Sequence, residues 1–319
     1  MKILVTGGAG FVGSHLVARL LEEGHHVVVL DDFSTGLRSN LSPSTHTHLN
    51  IFDGSVLDQA LLRNIATGVD FIFHLAAAVG VFNIVKHPIE SLRTNINGTE
   101  NVLDLARDEK IPVLCTSSSE VYGKNVSDHL QEEDDRILGS PAIARWSYSE
   151  AKAIDEFLAL AYHREYGLET RVVRLFNTVG PGQLGSYGMV VPRFISAALK
   201  DENIEIYGSG DQTRCFTHVS DVVEALVAIS NSARTIGEII NIGNTEEISI
   251  KDLAEKIILM TGSKSQIIFK EYGEVYDSNF EDMQRRVPSI DKIKNLVGWA
   301  PKRKLDDIIR DVIEHEKNG

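Results

Sequence analysis

The sequence predicts an α/β protein built on a doubly wound parallel sheet. Short apolar runs that are typical of strands alternate with helical patterns over the first two thirds of the chain. Parallel strands need crossover helices, and such helices cover both faces of the sheet. The predicted strands are KILVTG, HVVVLDD, DFIFHLAA, PVLCTSSS and TRVVRLFN, and the predicted helices are SHLVARLLEEG, PIESLRTNINGTENVLDLARDE and SYSEAKAIDEFLALAYHREYG.

The pattern changes after residue 180, where GPGQLGSYGMVVPRF forms a long glycine-rich connection. Later segments mix short strands with helices, which indicates a smaller mixed α/β lobe. They are NIEIYGSG, EIINIGN, SIKDLAEKIILMTG and LDDIIRDVIEHEK. We expect a first domain over 1–180, joined by a segment near 217–240 that returns to it, and a second lobe over 181–319.

The composition is typical of a globular protein with a substantial apolar core. Apolar residues make up 43% of the 319 residues, and no stretch has the pattern of a secretion signal or a membrane span, so we expect a cytoplasmic protein. A net charge of −13 disfavours nucleic acids and membranes as partners. Cys115 and Cys215 belong to no CxxC or Cys/His cluster, which predicts buried thiols and neither a disulfide nor a metal site.

A glycine-rich segment, TGGAGFVG, follows the first predicted strand and opens the first helix. A dinucleotide-binding loop of the Rossmann type requires this context. Gly7 permits the tight turn, Gly10 lets the backbone approach a pyrophosphate, and Gly13 lets the helix pack close to the strand. The spacing is GxxGxxG, not GxGxxG, and a tight turn without a ligand is the alternative. The cofactor contacts predicted for this loop are Gly7, Gly10, Phe11, Val12 and Gly13.

Asp31 ends the second predicted strand, where a carboxylate can accept hydrogen bonds from the adenosine ribose of a dinucleotide. A carboxylate there would repel a 2′-phosphate, so NAD is favoured over NADP. The strand DFIFHLAA and the segment TNINGT supply further candidates to line the cofactor groove, with purely structural roles as the alternative. These further candidates are His74, Leu75, Ala76, Ala77 and Asn95, and Asp32, next to Asp31, is a predicted cofactor contact as well.

Tyr148 and Lys152 lie four residues apart in a predicted helix, so their side chains share one face. Such pairs also arise by chance. The serine run TSSSEVYG follows a predicted strand of the same domain and so lies at a carboxyl end of the sheet, where ligands bind. A hydroxyl, a phenol and an ammonium beside a nicotinamide make a dehydrogenation site. We expect Lys152 and the positive nicotinamide ring to lower the tyrosine pKa from about 10.

Nearly the whole chain resembles the extended short-chain dehydrogenase/reductases that act on nucleotide sugars. The matching blocks are TGGAGFVGSH, HLAAAVG, TNINGTENVL, SSEVYG, YSEAK, RLFNTVGP, YGSGDQTRCFTHVSD and GEIINIGN. The resemblance implies that Ser118, Tyr148 and Lys152 act as hydroxyl partner, base and phenol-tuning lysine, with a tightly held NAD that removes a hydride from C4 of the sugar and returns it. Many members carry an acid in a GD pair near the adenine, whereas FDGSVLD places Ser55 there.

The Ser119-Glu120 pair resembles UDP-glucuronate decarboxylases, including the decarboxylase of the lipid A aminoarabinose pathway and the UDP-apiose/UDP-xylose synthases. Dehydratases commonly have Asp where Ser119 stands, and 4-epimerases commonly have a small residue before VYG. RWSYSEAK shares the Arg-Trp pair of the decarboxylases, and FEDMQRRVPS resembles their segment with an active-site arginine, which aligns with Arg286. Its neighbour Arg285 is the alternative.

Decarboxylation accounts chemically for this set of residues. Oxidation at C4 of a glucuronosyl group places the C6 carboxylate β to a ketone, so carbon dioxide can leave and an enolate forms. Arg286 would orient the carboxylate, and Glu120 with Ser119 would mediate protonation at C5. Structural or phosphate-binding roles are the alternatives for Glu120 and Arg286.

The resemblance also implies contacts to the UDP group and an oligomeric state. The residues that correspond to diphosphate and uracil contacts are Asn177, Arg193, Tyr207 and Arg214. A homodimer is implied through helices near 85–106 and 148–166, which would form a four-helix bundle between subunits.

Decarboxylation of UDP-glucuronate is the preferred prediction, and three other activities stay open. A UDP-hexose or UDP-uronate 4-epimerase is the main alternative, and a 4,6-dehydratase is the third. A reductase that consumes free coenzyme would need exchange of the cofactor. A non-catalytic NAD-binding regulator would be expected to lose Ser118, Tyr148 or Lys152, and all three are present.

Overall fold

A seven-stranded parallel sheet forms the centre of the fold. The computed structural model of the protein describes residues 1–41, 46–79, 87–185, 189–271, 273, 281 and 283–318. The strands, numbered along the chain, are β1 (Lys2–Thr6), β2 (His26–Asp31), β3 (Leu49–Asp53), β4 (Phe71–His74), β5 (Val113–Ser118), β6 (Thr170–Leu175), β7 (Thr178–Val179), β8 (Ile204–Tyr207), β9 (Thr213–Cys215), β10 (Thr217–His218), β11 (Ile239–Ile242), β12 (Glu247–Ser249) and β13 (Ile267–Lys270).

The order of the strands creates a crevice at one place in the sheet. The order is β11-β6-β5-β4-β1-β2-β3, and every pair within it is parallel. From β1 the chain proceeds outward to β2 and β3, and then returns to β4 on the other side of β1. In open parallel sheets, ligands bind beyond the carboxyl ends of the strands at such a reversal.

Nine described α-helices accompany the strands. They are α1 (Phe11–Glu22), α2 (Gln59–Ile65), α3 (Pro88–Glu109), α4 (Trp146–Tyr166), α5 (Val190–Leu199), α6 (Val219–Ser230), α7 (Ile250–Thr261), α8 (Asp291–Val297) and α9 (Leu305–Asn318). Apolar residues of α1, α6 and α8 form one core with the sheet, and residues of α2, α3 and α4 form another. The predicted doubly wound α/β class is therefore confirmed.

A separate apolar core lies among the later elements. Helices α5, α7 and α9 pack together around residues such as Phe194, Leu253 and Ile309, with β8 contributing Ile204 and Ile206. Three two-stranded sheets accompany them: β7 with β10 and β8 with β13 are parallel, whereas β9 with β12 is antiparallel. The smaller mixed α/β assembly expected after residue 180 is thus present in the described residues.

The edge strand β3 was missing from the prediction. Its sequence, LNIFD, has polar residues at its second and last positions, and it pairs only with β2. An edge strand is partly exposed and so needs no continuous apolar run. The predicted glycine-rich connection includes residues 186–188, and the FEDMQRRVPS segment includes residues 280 and 282, all of which lie outside the described residues.

Both cysteines are buried free thiols, as predicted. No helix in the described part of the chain combines the length and apolar character needed to cross a bilayer. Within the same residues, no group of His, Cys, Asp and Glu side chains is arranged to hold a metal ion.

Candidate active site

A cavity of about 730 Å³ lies at the carboxyl ends of the strands and brings together nearly all of the predicted site residues. Of the residues predicted from the sequence, those that line it are Gly7, Gly10, Phe11, Val12, Gly13, Asp31, Asp32, Ser55, Leu75, Ala76, Ala77, Ser118, Ser119, Glu120, Tyr148, Lys152, Asn177, Arg193, Tyr207, Arg214 and Arg286. The cavity therefore joins the glycine-rich loop to the Tyr148 helix and to the smaller lobe.

The glycine-rich loop joins β1 to α1 and leaves no room for side chains at two positions. Gly7 has φ +69°, and a Cβ atom there would lie 2.7 Å from the backbone nitrogen of Ala76. A Cβ atom on Gly13 would lie 2.1 Å from the Gly7 carbonyl oxygen. Gly10 caps α1, so the first amides of this 12-residue helix open towards the cavity. A phosphate group would be stabilised at this helix terminus.

Asp31 stands at the end of β2 with its carboxylate held in place by backbone amides. It is 8% exposed and accepts hydrogen bonds from the Ala9 nitrogen at 2.8 Å and the Phe33 nitrogen at 2.9 Å. Burial raises its pKa against the lowering effect of these two bonds. The neighbouring Asp32 accepts from the amide and hydroxyl of Ser34, and so it mainly shapes the turn. Ser55 lies across the groove, where its hydroxyl accepts from the Leu57 nitrogen at 3.2 Å.

Asn95 and His74 lie behind the cavity wall and do not line it, contrary to the sequence-based expectation. Asn95 is buried on α3, and its Oδ1 accepts from the Ala78 nitrogen at 2.7 Å. His74 lies between the Thr6 hydroxyl at 2.8 Å and the Thr99 hydroxyl at 3.1 Å, and burial lowers its pKa to about 3. Asn95 thus supports the backbone just after the lining residues Leu75, Ala76 and Ala77, and His74 contacts the Thr6 hydroxyl that accepts from the Ala76 nitrogen.

Tyr148 and Lys152 lie in the first two turns of α4 and both line the cavity. The Ser118 side chain, at the end of β5, lies near enough to the Tyr148 phenol to lower its pKa. Lys152 is 2% exposed, and its ammonium donates to the Thr116 carbonyl oxygen at 3.0 Å and to Asp155 Oδ2 at 3.1 Å. Sequence reasoning missed Asp155, although its position three residues after Lys152 on a helix was a usable signal.

In the protein without cofactor, the pKa of Tyr148 is raised, whereas a lowered pKa was expected from the sequence. Burial raises it, and this effect exceeds the lowering by Lys152 and by the nearby Ser118 hydroxyl. The carboxylates of Glu120 and Asp155 also raise it, because a phenolate would be repelled by them. The prediction from the sequence took the Lys152 charge into account, but not the burial of Tyr148 or the nearby carboxylates of Glu120 and Asp155.

Glu120, close to Tyr148, forms ion pairs with two arginines. Its Oε1 lies 2.5 Å from Arg286 Nη1, and its Oε2 lies 2.8 Å from Arg145 Nη1. Arg286 Nη1 also donates to the Ser119 hydroxyl at 3.3 Å. Burial alone would raise the glutamate pKa, but Arg145 and Arg286 outweigh it and lower the pKa to about 2. Glu120 is therefore a carboxylate at neutral pH.

Of the two adjacent arginines, Arg286 is the one that faces the cavity. It is 8% exposed, and its Nε has no hydrogen-bond partner among the described residues. Arg285 points away and binds both carboxylate oxygens of Glu247, at 2.8 and 2.9 Å. Arg145 was not predicted as a site residue. The signal for it was its place in the motif RWSYSEAK, three residues before Tyr148.

The predicted UDP contacts line the cavity on the side of the smaller lobe. The guanidinium of Arg193 lies 4.3 Å from the centre of the Tyr207 ring. Asn177 donates to the Cys215 carbonyl oxygen at 2.9 Å. Arg214 donates to the Thr213 carbonyl oxygen at 2.8 Å and is near enough to Glu120 to lower the pKa of that acid. Arginine and aromatic side chains on one wall suit a diphosphate and a planar base.

A second buried ion pair, also missed from the sequence, holds the site elements together. Arg174 on β6 donates through Nε and Nη2 to the two oxygens of Glu156 on α4, both at 2.8 Å. The Ser117 hydroxyl on β5 donates to the same carboxylate at 2.6 Å. These bonds fix α4 against both strands, and they thereby set the position of Tyr148 relative to Ser118.

The chain is similar to known nucleotide-sugar enzymes over nearly its whole length. Residues 4–312 match the family model described as GDP-mannose 4,6 dehydratase. The chain is 39% identical over 314 residues to the UDP-N-acetyl-alpha-D-glucosaminuronate decarboxylase of Bacillus cytotoxicus, covering 98% of this chain and 97% of that protein. It is 38% identical to the UDP-glucuronic acid decarboxylase 1 of Xenopus tropicalis, covering 100% of this chain and 74% of that protein.

Solved structures resemble the chain over its full length. The UDP-glucuronic acid 4-epimerase from Bacillus cereus, in complex with UDP-glucuronic acid and NAD, superposes with a TM-score of 0.90 at 29% identity. The match covers 100% of this chain and 99% of that one.

Proposed function

The chain belongs to the GDP-mannose 4,6-dehydratase family of extended short-chain dehydrogenase/reductases, and from this premise we propose that it is an NAD-dependent UDP-glucuronate decarboxylase. The predicted class, an enzyme that modifies nucleotide sugars, is confirmed by relatives at 36–39% identity that are named decarboxylases. Arg286 and Ser119 together carry the choice of reaction, because the arginine suits a substrate carboxylate and the Ser119 hydroxyl, 3.3 Å from Arg286 Nη1, places a proton donor beside it.

The residues around the glycine-rich loop fit NAD. The loop excludes even a methyl group at Gly13, and the helix terminus behind Gly10 suits the pyrophosphate. Asp31 is fixed by two amides and has remaining lone pairs for the ribose hydroxyls of the adenosine. We assign cofactor binding to 1–180 with the segment near 217–240, and sugar-nucleotide binding mainly to 181–319.

When bound, NAD supplies the chemistry of hydride removal from C4 of the sugar and its later return. Tyr148 accepts the proton of the C4 hydroxyl, with the Ser118 hydroxyl aligning that group. Tyr148 must be a phenolate to accept this proton, and the buried Lys152 ammonium stabilises that phenolate before the transfer. The C4 alcohol becomes a ketone, and the proton stays on Tyr148 Oη until the ketone is reduced again.

Arg286 and Ser119 serve the second step, in which the substrate loses its C6 carboxylate and is protonated at C5. Arg286 lines the cavity and binds the carboxylate while its Nη1 stays on Glu120. The C5–C6 bond breaks, carbon dioxide leaves, and its electron pair forms the C4 enolate. Glu120 is ionised, so it holds the arginines and does not donate the proton. The Ser119 hydroxyl delivers a proton to C5 and regains one from solvent.

The UDP moiety is assigned to the wall formed by Arg193, Tyr207, Arg214 and Asn177. We also propose the homodimer implied by the family resemblance, with α3 and α4 at the interface. Phe157 on α4 is 61% exposed and Ile89 on α3 is 67% exposed, and both would be covered by a second copy. A cytoplasmic location remains a prediction.

A 4-epimerase acting on UDP-glucuronate is the second candidate, because the structural likeness to the Bacillus cereus epimerase is extensive. Both enzymes would hold a carboxylate and form a C4 ketone. They differ in whether carbon dioxide then leaves. Arg286 and Ser119 together favour its loss, and therefore the decarboxylase.

Product analysis by proton NMR separates these candidates. The purified protein is incubated with UDP-glucuronate, with UDP-N-acetylglucosaminuronate and with UDP-glucose, with and without added NAD. The proposal expects a UDP-pentose from UDP-glucuronate. A UDP-galacturonate product would support the epimerase, and exclusive use of the N-acetyl substrate would correct the substrate.

A further inference from the structure

A buried carboxylate stands behind the catalytic lysine without lining the cavity. Asp155 is 3% exposed and lies three residues after Lys152 on α4. Its Oδ2 accepts a hydrogen bond from Lys152 Nζ at 3.1 Å. The same ammonium donates to the Thr116 carbonyl oxygen at 3.0 Å. Two of the three N–H groups of Lys152 are therefore fixed by the protein, and the third remains for the substrate side.

We propose that Asp155 is a positioning residue that keeps the Lys152 ammonium charged and oriented towards Tyr148. This role deepens the proposed function and rests on it, because it assigns the state of the lysine that serves the tyrosine base. Asp155 acts through Lys152 and touches neither the substrate nor the cofactor site.

The cost of burying this carboxylate indicates that its charge matters. An ionised acid is expensive to bury unless it is paired and fully hydrogen-bonded. Burial raises the pKa of Asp155, and Lys152 and the nearby Thr99 hydroxyl oppose this rise. Asp155 Oδ1 has no hydrogen-bond partner within the described residues. A neutral side chain would fill this position at lower cost, but it would not offset the charge of Lys152.

The other groups that face Lys152 supply no free negative charge at neutral pH. His74 on β4 is neutral at pH 7, because burial lowers its pKa to about 3. Cys115 on β5 stays a thiol, because burial raises its pKa to about 12. In the protein without NAD, burial raises the pKa of Tyr148, so its side chain also carries no charge at pH 7. Glu156, the next residue on α4, is committed to Arg174 on β6.

The sign of the effect follows from this environment. Burial disfavours the charged ammonium, but the Asp155 carboxylate, together with smaller contributions from Tyr148 and Cys115, raises the pKa of Lys152 above its usual value. Without that carboxylate, burial would dominate and Lys152 would lose its proton at a lower pH. The alkaline limit of catalysis would fall in parallel.

The test is a titration of the lysine itself. Asp155→Asn preserves the shape and an oxygen acceptor but removes the charge, so it separates electrostatics from hydrogen bonding. The NMR signal of the lysine ε-carbon is followed against pH in the NAD-loaded protein, with Lys152 assigned by the signal lost in Lys152→Met. We expect a lower titration midpoint in Asp155→Asn, and an alkaline limb of kcat that moves in the same direction.

Glu150→Gln is the matched control, because Glu150 is an exposed carboxylate on the same helix, and it should leave the midpoint unchanged. An unchanged midpoint in Asp155→Asn would overturn the proposal. The wild-type protein provides a second test if that variant does not fold, since Lys152 must titrate above the exposed lysines. The titration needs no turnover, so its result stands apart from the product analysis.

Discussion

Replacement of Arg286 by glutamine should separate carboxylate binding from the other contacts to the sugar nucleotide. The variant loses a mostly buried guanidinium that lines the cavity beside Glu120. Glu120 keeps its contact with Arg145 at 2.8 Å, so the change does not leave an unpaired buried charge and the fold should persist. The effect is thus confined to the pocket.

The expected magnitude follows from the contacts that are lost. A hydrogen bond to a charged group contributes about 1.5–3 kcal/mol, and an arginine edge offers two to a carboxylate. A loss of about 3 kcal/mol corresponds to roughly 100-fold weaker binding of UDP-glucuronate. UDP-glucose has no carboxylate, so its affinity should change by less than about fivefold.

Calorimetric titration of both ligands into the NAD-loaded protein measures this difference. Arg285→Gln is the matched control, because Arg285 is the adjacent arginine and binds Glu247 away from the cavity. It should weaken neither ligand by more than about fivefold. Equal losses for the two ligands in Arg286→Gln would refute the reasoning and make Arg286 a contact to the diphosphate.

Three further substitutions test other parts of the account. Tyr148→Phe should abolish turnover but retain NAD, and near-normal activity would contradict the assignment of the base. Gly13→Ala should release NAD, measured by cofactor absorbance after denaturation, since the added Cβ would lie 2.1 Å from a loop carbonyl. Gly273→Ala is its control, because a Cβ there meets nothing within 4 Å. Phe157→Asp should yield a monomer in sedimentation, whereas the exposed Phe269→Asp should not, and an unchanged dimer would place the interface elsewhere.

The sequence was sufficient for the sheet and for most of the cavity because both depend on local patterns. Buried parallel strands are continuous apolar runs, and the glycine-rich loop is defined by spacing. The edge strand β3 was missed because it is only partly buried. The choice between Arg285 and Arg286 could not be made locally, since it depends on where Glu120 and Glu247 lie in space.

The electrostatics of the site were the least predictable part. The motif identifies Tyr148 and Lys152, but the pKa of the tyrosine also depends on burial and on Asp155 and Glu120, which belong to different elements. Arg145 and the Glu156–Arg174 pair were missed for the same reason, as their roles arise from contacts between a helix, two strands and a loop.

The central claim is that the carboxylate leaves after oxidation at C4, and an isotope experiment tests it directly. UDP-glucuronate labelled with carbon-13 at C6 is incubated with the protein and NAD in deuterated water, and the products are followed by NMR. We expect the label in carbon dioxide and bicarbonate, with one deuterium at C5 of a UDP-pentose, because the Ser119 proton exchanges with solvent. Retention of the label in a UDP-hexuronate would contradict the decarboxylase assignment and indicate epimerisation.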